Sequence, residues 1–239
     1  MIRVSEDFYS IQGEGATMGV PAVFLRLQAC NLMCGGLGTE RDGKLHNGAK
    51  WRCDTIEVWK QGVKHSIEGF GDYIIKTYGD VLDKGAHLIW TGGEPLMQQK
   101  AIIDVMVYLA KEGLTPYVEI ETNGTLRPKN ALDVFVDLYN VSPKLSNSGV
   151  TAIKRYRKEV LSWYQSKNAI FKFVVSNEED WSEIVQMDLP YNMLYLMPSA
   201  SNREELEKSS KIVTKICLEK TIKFSTRLQI VLWNQTVGV

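Results

Sequence analysis

Apolar residues along this chain recur with two alternating periods. Short β-type runs at 22–27, 87–91, 117–121, 138–141, 170–175 and 193–196 are separated by longer stretches at 67–78, 98–112, 151–166, 177–186 and 202–221, several with apolar residues at i, i+3 and i+4. Each long stretch opens near a Ser, Thr or Asn, the residues that cap helix N-termini. Strands alternating with helices predict parallel strands joined by helical crossovers, an α/β fold. About six strands fall short of the roughly eight that close a full barrel, so the expected architecture is a partial, incomplete β/α barrel. One segment escapes both periods: residues 35–52 carry five glycines, four Lys/Arg and two Asp/Glu, a composition that makes no core element. The 239 residues therefore read as one domain, 1–239, with an insertion at 35–52.

The insertion lies inside a cysteine cluster. Of the four cysteines, Cys30, Cys34 and Cys53 fall within 24 residues, directly after the first strand of the six. Thiolates at one strand end select soft metals, zinc or an iron–sulfur cluster. On spacing alone the two metals stand level: three cysteines would leave one iron of a cubane without a protein ligand, and adding His46 would close a four-ligand zinc site. Cys217 lies among Ile212, Val213 and Ile216 on the last long helix and reads as a buried structural thiol. His65 and His87 have no acidic or cysteine neighbour in sequence and read as structural or exposed.

Further polar motifs sit at successive strand ends, where a β/α fold presents its ligands: Thr91-Gly92-Gly93-Glu94-Pro95, Glu121-Thr122-Asn123-Gly124-Thr125, Ser142-Pro143-Lys144 and Met197-Pro198. Paired glycines let a backbone approach a small molecule closely, although Gly-Gly before a helix also makes a plain tight turn. Four such motifs in one row argue for a site.

Charge narrows the partners. Lys+Arg and Asp+Glu balance at 28 each, so no long-range field gathers nucleic acid or an anionic membrane. The apolar run 21–27, interrupted by Arg26, is far shorter than the roughly 20 residues that span a bilayer, and Glu6 and Asp7 stand where a secretory signal needs a basic start. A cytoplasmic protein is expected.

Cys30-x3-Cys34 with a late third cysteine, followed by Gly92-Gly93-Glu94-Pro95, resembles the radical S-adenosylmethionine superfamily. Within it, Phe8-Tyr9-Ser10-Ile11-Gln12-Gly13-Glu14-Gly15 and Cys53-Asp54-Thr55 are similar to the 7-carboxy-7-deazaguanine synthase family, over nearly the whole chain from about Ser5 into the 229–239 region. The departure is the spacing: eighteen residues separate Cys34 from Cys53, where the superfamily has a short gap.

The resemblance implies that Cys30, Cys34 and Cys53 hold a 4Fe-4S cluster whose open iron chelates S-adenosylmethionine, the source of a 5'-deoxyadenosyl radical. No catalytic side chain beyond that radical is implied. Gly92, Gly93 and Glu94 would bind the cofactor's amino end, and Glu121, Thr122, Asn123, Ser142 and Lys144 would line its remaining sides. The implied substrate is 6-carboxy-5,6,7,8-tetrahydropterin, with Arg26 facing its carboxylate and Gln12, Glu14 and Gly15 along its ring edge. A guanidinium suits a carboxylate, and a carboxylate side chain suits aminopyrimidine N–H groups. Read without the resemblance, Arg26 is also an ordinary solvated strand residue. Thr55 would hold Mg2+ in the family; as a residue type it is equally a helix N-cap. Asp54 would orient that loop.

The activity implied is a lyase reaction giving 7-carboxy-7-deazaguanine and ammonia, for queuosine-type deazapurines of tRNA or DNA. A flavodoxin or ferredoxin donor and a homodimer follow, with no direct nucleic-acid or membrane contact. The family's frequent C-terminal histidine is missing from Arg227-Leu228-Gln229-Ile230-Val231. Two alternatives remain: a glycyl-radical-enzyme activase, and a zinc-stabilised binding module built on His46.

Overall fold

The computed structural model describes residues 1–236; the last three residues of the expected domain lie outside the described part. Its strands are β1 (Ile2–Ile11), β2 (Pro21–Leu27), β3 (Val63–His65), β4 (His87–Gly92), β5 (Val118–Thr122), β6 (Leu138–Val141), β7 (Ala169–Val175), β8 (Leu194–Pro198) and β9 (Lys223–Phe224). They form one sheet in the order β3-β1-β2-β4-β5-β6-β7-β8-β9. All six strands expected from the pattern are present and run parallel as β2-β4-β5-β6-β7-β8. The fold is α/β with a mostly parallel sheet of nine strands rather than about six.

The three additional strands evade the pattern for physical reasons. β1 pairs antiparallel with β2 and carries acids that hide its strand character: Glu6 accepts from Arg26 at 2.7 Å, and Asp7 accepts from both Tyr73 and Tyr78. β3 and β9 have three and two residues and leave their side chains mostly exposed. They lie at the two edges, and β3 pairs only with β1 and β9 only with β8.

Among the helices are α1 (Thr39–Asp42), α2 (Ile56–Trp59), α3 (Ile67–Asp83), α4 (Gln99–Lys111), α5 (Asn130–Asp133), α6 (Ala152–Arg155), α7 (Lys158–Gln165), α8 (Glu178–Val185) and α9 (Arg203–Lys220). The expected caps function: Ser66 accepts from Gly69 N at 3.0 Å, Asn177 and Asp180 form a reciprocal capping box, and Asn202 accepts from Glu205 N at 2.9 Å. The single helix expected at 151–166 is instead α6 and α7, with Tyr156 extended between them. Arg155 turns inward there and donates to the carbonyls of Val150 and Lys144.

The core lies between one face of the sheet and the helices. Leu25, Leu88, Trp90, Ile120, Val141, Phe171, Phe173 and Leu196 are fully buried against Phe70, Ile74, Ile102, Val105 and Val213. The opposite face of the same strands carries most of their polar residues beside a small apolar cluster of Phe8, Ala22, Phe24 and Ile89: Arg26, Thr91, Glu119, Glu121, Asn140 and Lys172 alternate with the core residues and face away from the helices. Such a polar inner face builds a site.

Candidate active site

The strand ends and the loops after them enclose a cavity of about 840 Å³. One wall is the cysteine loop: Cys30, Cys34 and Cys53 all line the cavity and pack with Leu32, Trp51 and Val150. The long spacer between the second and third cysteines does not separate them. Its chain folds back so that Cys53 N donates to the Cys34 carbonyl at 3.2 Å. Gly35 N donates to Ser148 O at 2.9 Å and Lys50 N to Asn147 O at 2.7 Å, so both ends are pinned to the loop after β6. Residues 35–52 are thus more than an exposed excursion: Gly35, Gly36, Gly38 and Thr39 are buried, and Gly43, Leu45, Lys50, Trp51 and Arg52 line the cavity.

Burial pushes the Cys30 thiol up to about 11 and the Cys34 thiol up to about 12. They become thiolates only beside a cation. His46, the fourth ligand of the zinc alternative, instead turns to Asp42, its Nε2 3.1 Å from both carboxylate oxygens. Among the described residues no three His, Cys, Asp or Glu side chains meet tightly enough for one metal ion. Three thiols lining one wall of a cavity are a donor set that suits a thiolate-bound metal centre such as an iron–sulfur cluster.

The glycine pair serves this wall directly. A Cβ on Gly93 would overlap the Ala29 carbonyl and the Cys30 Cβ, and one on Gly92, at φ +148°, would overlap the Leu27 carbonyl. What the paired glycines admit is the cysteine loop itself. Glu94 also departs from expectation. Its side chain is fully buried away from the cavity and accepts from Thr122 Oγ1 at 2.9 Å, Asn123 N at 2.8 Å and Leu96 N at 3.1 Å. Burial pushes its carboxyl up to about 7 against those donors. Glu94 therefore ties the end of β4 to the turn after β5. In that turn Thr122 and Asn123 line the cavity, and Asn123 donates to Asn31 Oδ1 at 2.9 Å. Ser142 and Lys144 line it as well, joined at 2.9 Å, with the Lys144 ammonium 5.9 Å from the Trp51 ring centroid.

The other side is formed by the loop after β1. Gln12 is buried and donates to Glu121 Oε1 at 3.2 Å; Thr91 donates to Glu121 Oε2 at 2.8 Å. Glu14 meets three donors: Arg227 Nε at 3.1 Å and Gln229 Nε2 at 2.8 Å on one oxygen, Lys172 on the other. Burial alone would raise the Glu14 carboxyl, but Lys172 and Arg227 outweigh it and hold it far below the usual carboxylate range. Gly15 N donates to Ser225 Oγ at 2.8 Å. Arg26 lines the cavity with its Nε on Glu6. Among the described residues its two Nη groups make no hydrogen bond to the protein. Thr55 begins α2 but its hydroxyl caps nothing; its Oγ1 lies 3.3 Å from Cys53 Sγ. Asp54 accepts from Arg227 Nη2 at 2.6 Å, so the C-terminal segment holds the cysteine loop against Glu14.

Sequence reasoning missed Lys172, Arg227, Gln229 and Asn140 as site residues, although a lysine inside the apolar run Ile170-Phe171-Lys172-Phe173-Val174-Val175 is a visible signal. His87, which has no acidic neighbour in sequence, meets Glu119 of the neighbouring strand at 2.6 Å. Cys217 is buried in α9 and points at Lys223 O, as a structural thiol does.

The arrangement defines an α/β protein with a three-thiol wall facing a charged, hydrogen-bonding floor across one strand-end cavity. No family model matches the chain. It is 34% identical to the 7-carboxy-7-deazaguanine synthase of Pyrobaculum aerophilum over 245 residues, covering 99% of this chain and 97% of that protein. The protein of the same name from Halobacterium salinarum is 28% identical and covers 98% of this chain. In three dimensions the chain is similar to the crystal structure of QueE from Escherichia coli, with a TM-score of 0.61, 21% identity and coverage of 95% and 94% of the two chains; that likeness concerns the fold. The chain belongs to the 7-carboxy-7-deazaguanine synthase family.

Proposed function

We propose that this protein is a radical S-adenosylmethionine lyase that converts 6-carboxy-5,6,7,8-tetrahydropterin to 7-carboxy-7-deazaguanine with release of ammonia, in queuosine-type deazapurine biosynthesis. The observation that carries the reading is that Cys30, Cys34 and Cys53 share one cavity with Glu14 and Arg26 in a chain of this family. The sheet is read as an open partial barrel around that cavity and residues 1–239 as one domain. Cys30, Cys34 and Cys53 are the ligands of a 4Fe-4S cluster. When bound, cluster and S-adenosylmethionine supply the one-electron chemistry and the carbon radical that this chain's own side chains lack.

The chain's task is to bind, orient and exclude water. Gly92 and Gly93, which line the cavity, face the cofactor's amino end, with the Glu94 side chain behind them as a positioning group for Thr122 and Asn123. Glu121, Thr122, Asn123, Ser142 and Lys144 complete the cofactor's surroundings. Arg26 takes the substrate carboxylate with its two Nη groups, a bidentate geometry that lysine does not reproduce. Gln12 and Glu14 face the ring edge, and Gly15, expected beside them, lies behind the cavity lining with its N–H on Ser225. Phe8 and Phe24, stacked with centroids 5.0 Å apart, line the cavity and suit a flat heterocycle. Thr55 is the protein ligand to Mg2+, a reading supported by a hydroxyl that serves no cap.

A flavodoxin- or ferredoxin-type donor supplies the electron, the protein acts in the cytoplasm as a homodimer, and its direct ligand is a small molecule. Among the described residues no helix is long and apolar enough to cross a membrane. The test is anaerobic reconstitution with iron and sulfide, then incubation with reductant, S-adenosylmethionine, Mg2+ and the carboxylated tetrahydropterin. A brown chromophore and the deazaguanine product by mass spectrometry are expected; a chromophore with no conversion would remove the substrate and leave the radical class.

A further inference from the structure

Six cationic side chains line the cavity: Arg26, Lys50, Arg52, Lys144, Lys172 and Arg227. Lys172 stands apart from the others. It lies in the middle of β7 with only 5% of its surface exposed, yet an ammonium has three N–H groups and, among the described residues, only one meets a protein acceptor, Glu14 Oε2. Arg227, by contrast, is committed in three directions, to Glu14, Asp54 and the Ala200 carbonyl. Lys144 is tied to Ser142.

Glu14 is arranged to tolerate the loss of this one partner. Its Oε1 keeps Arg227 Nε at 3.1 Å and Gln229 Nε2 at 2.8 Å, which fix the carboxylate from below; its Oε2 has Lys172 alone. Carboxylate oxygen and ammonium therefore stand side by side in the cavity wall as an acceptor next to a donor. A lactam edge, ring N–H beside ring C=O, is the complement of that pair. A 2-amino-4-oxopyrimidine ring carries such an edge.

We propose that Lys172 is a substrate-reading residue. On binding it exchanges Glu14 Oε2 for the 4-oxo oxygen of a 2-amino-4-oxo heterocycle, and Glu14 Oε2 takes the neighbouring ring N–H. Each group keeps a hydrogen-bond partner in the exchange, Arg227 still neutralises Glu14, and the Lys172 ammonium gives up direct contact with the carboxylate but stays beside it across the lactam edge. This assignment rests on the pterin reading of the same cavity and deepens it. It gives Lys172 a part in selecting the 4-oxo ring over a 4-amino ring, whose amino group would meet the ammonium donor to donor.

The test is equilibrium binding, without turnover, to the cluster-loaded protein in Mg2+. The probes are 6-carboxypterin and its 4-amino counterpart, 2,4-diaminopteridine-6-carboxylate. Wild type should prefer the 4-oxo probe by about tenfold or more, the scale of a hydrogen bond to a charged group. Lys172→Met should lower the preference by about threefold or more, the ammonium's share, while Glu14, kept in place by Arg227 and Gln229, retains the share that reads the ring N–H. Lys172→Gln serves the same purpose if the methionine variant does not fold, and the wild-type preference needs no variant. Equal binding of both probes by wild type, or an undiminished preference in Lys172→Met, overturns the assignment of Lys172 and leaves the pterin reading standing. Binding of neither probe by wild type overturns the pterin reading and Lys172's role with it.

Discussion

Across the cavity, the cysteine wall and the charged floor satisfy their polar groups in different ways. Half-buried Cys30 and buried Cys34 are thiols whose protons are held more tightly than in water, so this wall gains its charge only when a metal replaces those protons. Glu14, Lys172, Arg227 and Asp54 are ionised partners that neutralise one another within the protein. A wall that borrows its chemistry needs close backbone packing, which Gly92 and Gly93 allow. A floor that carries its own charges depends on their pairing, because a buried ion left with no partner at all costs several kcal/mol. Substitutions should therefore separate: wall variants lose metal with little loss of stability, and floor variants lose stability.

The largest effect is expected at the wall. Cys30→Ala, Cys34→Ala and Cys53→Ala should each abolish the visible chromophore after reconstitution, while changing the apoprotein's unfolding free energy by only about 1 kcal/mol. Cys217→Ala should keep the chromophore. Iron analysis showing a full cluster in Cys53→Ala would break the contrast by removing that thiol from the ligand set.

Next comes the floor. Glu14→Gln leaves buried Lys172 without its carboxylate partner and half-buried Arg227 with Asp54 alone, a loss of about 3 kcal/mol near neutral pH. The pH dependence carries a sign. The Glu14 carboxyl lies below its ordinary 4.5 in the fold, so its stabilisation is present above that pH and drains away as the pH falls toward the lower native value. The gap between wild type and Glu14→Gln in apoprotein melts should narrow below about pH 4.5. A gap that holds constant to low pH would mean that Glu14 is not the ionised centre of this floor.

The sequence made the wall easier to read than the floor. Cysteines, Gly92-Gly93 and the polar strand-end motifs are local signals, and the six parallel strands show themselves as short segments with apolar residues at every second position, because helices cover one of their faces. The floor depends on partners far apart in the chain: Lys172 meets Glu14 across 158 positions and Arg227 meets it across 213. No periodicity encodes such pairs. β1 was hidden for a related reason, since Glu6 and Asp7 read as solvent-facing until Arg26, Tyr73 and Tyr78 are brought to them. The task of the Glu94 side chain is equally non-local: a strand-end carboxylate looks like a ligand, whereas here backbone N–H groups of Leu96 and Asn123 claim it.

The insertion tests how local the wall is. Replacing residues 37–48 by a short Gly/Ser link removes the His46 N to Gly35 O bond of 2.7 Å but spares the attachments of Gly35 to Ser148, Lys50 to Asn147 and Cys53 to Cys34. Loop closure varies slowly with length, about 0.6 kcal/mol per doubling, so iron content should stay within experimental error of wild type. Gly43 and Leu45 leave the cavity lining in this variant, and a rise of a fewfold in KM is the expected cost. Loss of iron would show that the loop, rather than its pinned ends, sets the cysteine geometry.

The smallest effect on stability, and the sharpest division of roles, is expected at Thr55. A hydroxyl that caps a helix contributes about 1 kcal/mol. Thr55 stands at the start of α2 but makes no capping hydrogen bond, and its Oγ1 lies instead 3.3 Å from Cys53 Sγ. Thr55→Val keeps the shape and removes only the oxygen, so the apoprotein melt should move by less than about 0.5 kcal/mol. If that oxygen is the protein's ligand for Mg2+, turnover by the reconstituted variant should fall and lose its response to added Mg2+, while iron content and slow uncoupled cleavage of S-adenosylmethionine persist. A Mg2+ response equal to that of wild type would take Thr55 out of the metal's coordination. A melt shift of a full cap's size would return it to the helix.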